Sequence, residues 1–175
     1  DVVFRDAPIA NVQLSASGGS DKFLYNVSAN YFDQTGILKD SRYDRLTFRV
    51  NNEYKLNPYV KLGNNLSFSN VNSQNPPGVI GSALRMPPVF GERDSLGNFS
   101  DPTFFGTAIA NPAADLFYKD RNFSKGNRLV GTVYADITLF KHFTFRSNFG
   151  LDQAYINTKN YEPKFEVSIS QRNGE

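Results

Sequence analysis

The stretch "FLYNVSANYF", residues 23–32, alternates so strictly that it constrains the fold more than any other feature of the chain. Tyr25, Val27, Ala29 and Tyr31 fall on one side of an extended backbone, and Asn26, Ser28 and Asn30 fall on the other. Successive side chains of a strand point to opposite faces, so this is a strand with one apolar and one polar face. In a soluble sandwich the apolar face meets a core. In a membrane barrel it meets lipid, and the polar face lines water. Alternation by itself leaves both arrangements open.

Seven extended segments can be marked, near residues 11–17, 23–32, 45–55, 60–69, 128–139, 143–154 and 164–170. Several approach the roughly 9–11 residues that a tilted membrane-crossing strand requires. Their connections alternate in length. Residues 18–22, Asn57–Tyr59 and Phe140–His142 are tight, whereas 33–44, 70–127 and 157–163 are long. Tight turns at one end and long loops at the other are how an outer-membrane barrel is strung. The expected fold is therefore all-β: an antiparallel up-and-down transmembrane β-barrel segment, about seven strands of a larger barrel, with one long external loop at 70–127. Within that loop, residues 78–86 and the stretch from Asn111 predict short helices, the first stopped by Pro87 and the second opened by Pro112.

Composition agrees and excludes much else. Aromatic residues make up 14% of the 175, and 13 glycines with 9 prolines favour strands and turns over helices. No run approaches the ~20 apolar residues of a membrane-spanning helix. There is no cysteine, which removes disulfides and thiol chemistry. The basic residues are scattered, so no nucleic-acid surface is expected. The chain opens at Asp1 without a leader and stops soon after the strand-like residues 164–170, which reads as a piece of something longer.

Keeping the apolar faces together fixes two registers. Across the Asn57–Tyr59 turn, Val50 should face Leu66, Phe48 should face Phe68, and the polar intruders Asn52 and Asn64 should meet and share amide hydrogen bonds. Across the Phe140–His142 turn, Ile137 should face Phe145, Val133 should face Phe149, and Asp136 should sit directly opposite Arg146 on the polar face. Opposite charges paired across a ladder stabilise modestly.

The polar faces supply the candidate solute path: Arg49, Glu53, Lys61, Asp136, Arg146 and Asp152. In the long loop, Arg85, Arg93 and Asp94 are candidates for contact with a solute or partner. No catalytic, cofactor-binding or metal constellation emerges from the spacing, so an enzyme is not expected. His142, the only histidine, has no nucleophile beside it, and Asp33, Asp40 and Asp44 lack the spacing of an acidic calcium loop.

Several motifs then carry a likeness. Ser17–Ser20, Tyr31–Ile37 and Tyr43–Arg45, followed in order by "GVIGSALRMPPV", "DSLGNFSDP", "NPAADL" and "NRLVGTVYADITLFKHFTFRSNFGLD", resemble the barrel region of SusC/RagA-type TonB-dependent outer-membrane transporters of Bacteroidetes. That resemblance covers nearly the whole chain. It implies a large barrel, about 22 strands in transporters of this size, filled by an amino-terminal plug. It also implies energy drawn from an inner-membrane TonB complex through the plug, and a SusD-like surface lipoprotein over the mouth. Oligosaccharides or peptides are the implied substrates. The plug and the closing strands are absent from these residues. The alternative on the residues alone is a non-transport surface β-domain, an adhesin or a glycan-binding module.

Overall fold

The computed structural model describes residues 2–105, 109–140 and 143–174. Six strands form one antiparallel sheet in sequence order: β1 (Ile9–Gly19), β2 (Phe23–Thr35), β3 (Arg42–Asn57), β4 (Val60–Gln74), β5 (Phe123–Leu139) and β6 (Phe143–Lys159). All three tight turns lie at one end and all the longer connections at the other. No helix among the described residues is long and apolar enough to cross a membrane, which says nothing about strands.

The expected registers hold. Val50 faces Leu66 and Phe48 faces Phe68. Ile137 faces Phe145 and Val133 faces Phe149. The amide of Asn52 donates to Asn64 Oδ1 at 3.2 Å, so each satisfies the other on an otherwise apolar face. The turn that sets this register is tighter than expected. β3 runs to Asn57 through a bulge after Lys55, which leaves only Pro58 and Tyr59 between the strands. Asn57 Oδ1 accepts from the backbone N–H groups of Tyr59 and Val60, at 2.8 and 2.9 Å, and so closes the bend. The His142 turn lies partly outside the described residues, as does His142 itself.

The strands outrun their expected limits, and almost all the excess is at the loop end. β2 continues to Thr35, β4 to Gln74 and β6 to Lys159, while β3 begins at Arg42 and β5 at Phe123. The long loop accordingly spans 75–122 rather than 70–127, and the connection after β2 shrinks from 33–44 to 36–41. Strands of 15–17 residues exceed what a bilayer requires.

One expected strand is not part of the sheet. Residues 164–170 do not form a seventh barrel strand. Phe165–Ser168 (β7) folds back on Gln171–Asn173 (β8) as a separate two-stranded hairpin. Its alternation extends over only four residues, and its apolar member Phe165 is buried against the loop rather than presented outward.

That loop holds the packed interior of the molecule. Val3, Val79 and Leu116 form a small core with Leu38 and Ala83, joining the segment before β1, helix α1 (Ile80–Arg85) and helix α2 (Pro112–Tyr118). Asn111, only 1% exposed, is its hub. Its side-chain oxygen caps α2 by accepting from the Ala113 and Ala114 N–H groups at 3.0 and 3.5 Å. Its amide donates to the carbonyls of Ser100 and Glu92 at 2.9 and 3.1 Å. Its own backbone exchanges two hydrogen bonds with the Gln171 amide, at 2.7 and 2.9 Å, which pins the β7–β8 hairpin to the loop. Tyr118 stacks on Phe165 with ring centroids 4.7 Å apart.

Candidate pore face

The two faces of the six-stranded sheet differ in kind. One carries Val12, Leu14, Val27, Tyr31, Phe48, Leu66, Phe68, Leu129, Val133, Phe145 and Phe149, nearly all substantially exposed; Leu14 is 72% and Phe149 70% accessible. A contiguous apolar surface of this size is far beyond what an isolated soluble domain leaves uncovered. The other face is built mainly of serine, threonine, asparagine and charged side chains.

Four of the six expected pore-face residues meet in one place on that polar face. The register brings Glu53 on β3, Lys61 on β4, Asp136 on β5 and Arg146 on β6 side by side near the tight turns. Lys61 Nζ lies 3.3 Å from Glu53 Oε2 and 3.4 Å from Asp136 Oδ2. Arg146, the residue expected opposite Asp136, grips it with both prongs of its guanidinium, Nη2 donating to Oδ2 at 2.7 Å. Asp136 is buried while Arg146 stays more than half exposed. A carboxylate taken out of water needs partners, and here it has two cations. The exposed guanidinium contributes little to stability on its own account.

Tyr134 completes the cluster and is absent from the expected set. Its hydroxyl donates to Glu53 Oε2 at 3.3 Å, and its ring lies 5.1 Å from the Arg146 guanidinium. The one signal for it in the sequence is Gly63, because a glycine inside a strand often marks close approach by another group. A Cβ at Gly63 would come 2.2 Å from Tyr134 Cζ, so the ring occupies the space a side chain would take.

Asp152 and Arg49 stand apart from this cluster. Asp152 accepts two hydrogen bonds from Arg128, at 2.9 and 2.6 Å, nearer the loops. Arg49 is exposed between Ser28 and Ser67, with no hydrogen-bonding or ion-pair partner among the described residues. In the loop, Arg85 is exposed in the last turn of α1. Arg93 donates to the Gly97 carbonyl at 2.8 Å and lies 4.0 Å over the Phe99 ring. Asp94 accepts from the Leu96 and Asn98 N–H groups, each at 2.9 Å. Both residues therefore hold the shape of their own turn.

The acidic trio is dispersed. Asp33 pairs with Arg42, and Asp44 accepts from the Asn72 amide at 2.8 Å. Asp40 sits at a φ of +62° in the 36–41 loop. Burial and then the nearby Asp120 push its carboxyl up, against the pull of Arg5 and Lys39. No three acidic or histidine side chains among the described residues are grouped as metal ligands. What the polar face can do chemically is hydrogen-bond water and polar groups along a wall whose carboxylates are paired and whose cations are partly left over.

No family model matches the sequence. Two curated relatives from Formosa agariphila are nevertheless similar along most of it. TonB-dependent receptor P26 is 30% identical over 157 residues, and TonB-dependent receptor P3 is 28% identical over 174 residues. The matches take in 87% and 93% of this chain but only 15% and 17% of those receptors, so the chain spans a small part of their length. Among solved structures, the RagAB peptide importer in its closed-closed state superimposes with a TM-score of 0.74 at 25% identity, over 90% of this chain and 19% of that one. Its open-open state gives 0.73.

Proposed function

This chain is a length of β-barrel wall related to the TonB-dependent receptors of the SusC/RagA type, and on that premise we propose that it serves an outer-membrane importer. The apolar face lies against outer-membrane lipid, and the Glu53–Lys61–Asp136–Arg146 face lines the solute lumen. The tight turns point to the periplasm and the 75–122 loop stands at the external mouth. There the loop, with Arg85, Arg93 and Asp94 on it, contacts a SusD-like lipoprotein. A plug, for which the relatives' greater length leaves room, couples the lumen to the TonB complex.

The observation that carries this reading is the sheet's two-sidedness: an exposed apolar outer surface backed by a hydrogen-bonded polar one. The solutes are peptides or oligosaccharides, and import of peptides by the similar RagAB proteins makes peptides the first class to try.

A clean test exists because Gln74 and Phe123 are register partners at the two ends of the loop. Replacing residues 75–122 in the full-length receptor by a short turn leaves the β4–β5 pairing intact. The expected result is a folded barrel with uptake abolished. Unchanged uptake of every peptide and oligosaccharide tried would remove the loop from the import path. Solute captured at the cell surface by the wild type but never internalised would favour an adhesin or glycan-binding module.

A further inference from the structure

At the loop end of the polar face the pattern of that wall breaks. Most of its positions carry hydroxyl or amide groups. The register, however, sets Phe32, Arg45, Val71, Gly126 and Ile156 in one line across five strands. Two aliphatic side chains with a glycine between them make a dip, and the dip is part of a recess of about 510 Å³. Tyr43, Ser69, Ser124 and the Arg128–Asp152 pair also line it.

The glycine is not demanded by packing. At Gly126 an added Cβ would meet Ile156 only at 3.6 Å, an ordinary contact, and its φ is not in the left-handed region. A strand interior ordinarily disfavours glycine, so a glycine with room for a side chain keeps the space open. This contrasts with Gly63, where Tyr134 already fills the space.

Charge in the recess is unbalanced. Arg128 is neutralised by Asp152, but Arg45 has no carboxylate within ion-pairing distance among the described residues. The Phe32 ring lies 6.0 Å from its guanidinium. Arg49, four residues on and on the same face, is likewise without an anionic partner. A planar guanidinium beside an apolar trough matches a carboxylate next to an aliphatic side chain, because the fork of N–H donors takes the two oxygens together.

We propose that this recess is a solute subsite for peptides with a free C-terminal carboxylate. Arg45 receives the carboxylate, and an apolar side chain of the peptide fills the dip over Gly126. The proposal rests on the importer reading above and specifies its substrate.

The test uses the full-length receptor in cells and matched pairs of short peptides that differ only in a free or amidated C-terminus. Charge-assisted hydrogen bonds of about 1.5–3 kcal/mol correspond to a tenfold or larger effect. Arg45→Gln should lower binding and uptake of the free-acid peptide about tenfold and leave the amidated one unchanged. Gly126→Leu, which fills the dip, should weaken peptides with a bulky apolar residue more than peptides of glycine and serine. Equal loss for both members of each pair would mean that Arg45 supports the wall or a plug contact, and would overturn the subsite. No change in either variant would also overturn it, while leaving import intact. A wild-type receptor that takes up oligosaccharides but no peptide would refute the peptide class alone. One that moves nothing would bring down the importer reading and the subsite with it.

Discussion

At the scale of single residues, the wall depends on fitted pairs rather than on isolated charges. Gly63 and Tyr134 are one such pair. The ring needs the empty side-chain position, and it then holds Glu53 by hydrogen bond and flanks Arg146. Gly63→Val should therefore displace the ring and destabilise the folded receptor by about 1–3 kcal/mol, the usual cost of overpacking. Resistance of the folded barrel to heating in detergent, read from gel mobility, would report it. Adding Tyr134→Ser should recover most of the loss, since the space is then free. A double variant no better than Gly63→Val would mean the glycine serves something other than the tyrosine. Asn111 shows the same dependence in the loop, where its buried side-chain amide serves a helix cap and two carbonyls while its backbone holds a distant hairpin.

At the scale of elements, the adjacency of β4 and β5 matters most, because 48 residues (75–122) separate the two strands. Asn70 donates to Asn127 Oδ1 at 2.7 Å across that junction. The chain has no cysteine, so a pair introduced as Asn70→Cys and Asn127→Cys is uncomplicated within it. Oxidation should join the two halves, so that protease cleavage within 75–122 leaves them linked until a reductant is added. Fragments that separate without reductant would show that β4 does not lie beside β5. The hairpin registers, by contrast, are legible in the sequence. A tight turn and a two-faced pattern leave one solution, and Asn52–Asn64 and Asp136–Arg146 fall where that solution puts them. The strand ends are not legible, for a physical reason. Once a strand rises beyond the apolar band both its faces are wet, so the period of two disappears although the ladder continues. Asp33–Arg42 and Asp44–Asn72 lie in those extensions and have the composition of loop. The β7–β8 hairpin misleads in the opposite sense: four alternating residues copy a barrel strand but are too few to cross a bilayer. For the pore-face residues, alternation supplies the face and not the clustering. Tyr134 joins the site through a contact with Glu53, 81 residues away in sequence, on a strand that β4 separates from its own.

At the scale of the whole molecule, six strands make a curtain with edges at β1 and β6, one face apolar and exposed and the other mainly polar. Unpaired strand edges cannot face lipid, so within the membrane such a wall requires further strands to close it. The relatives, of which it spans only 15–17%, are long enough to provide them. The central claim is that Leu46, Phe48 and Val50 face lipid while Thr47, Arg49 and Asn51 between them face the lumen. Single cysteines at these six positions of the full-length receptor, labelled with a small fluorophore in outer-membrane vesicles, test it directly. A quencher carried on lipid tails should extinguish the labels at 46, 48 and 50 and spare those at 47, 49 and 51. Equal quenching along the strand, or quenching of the odd positions instead, would contradict the account.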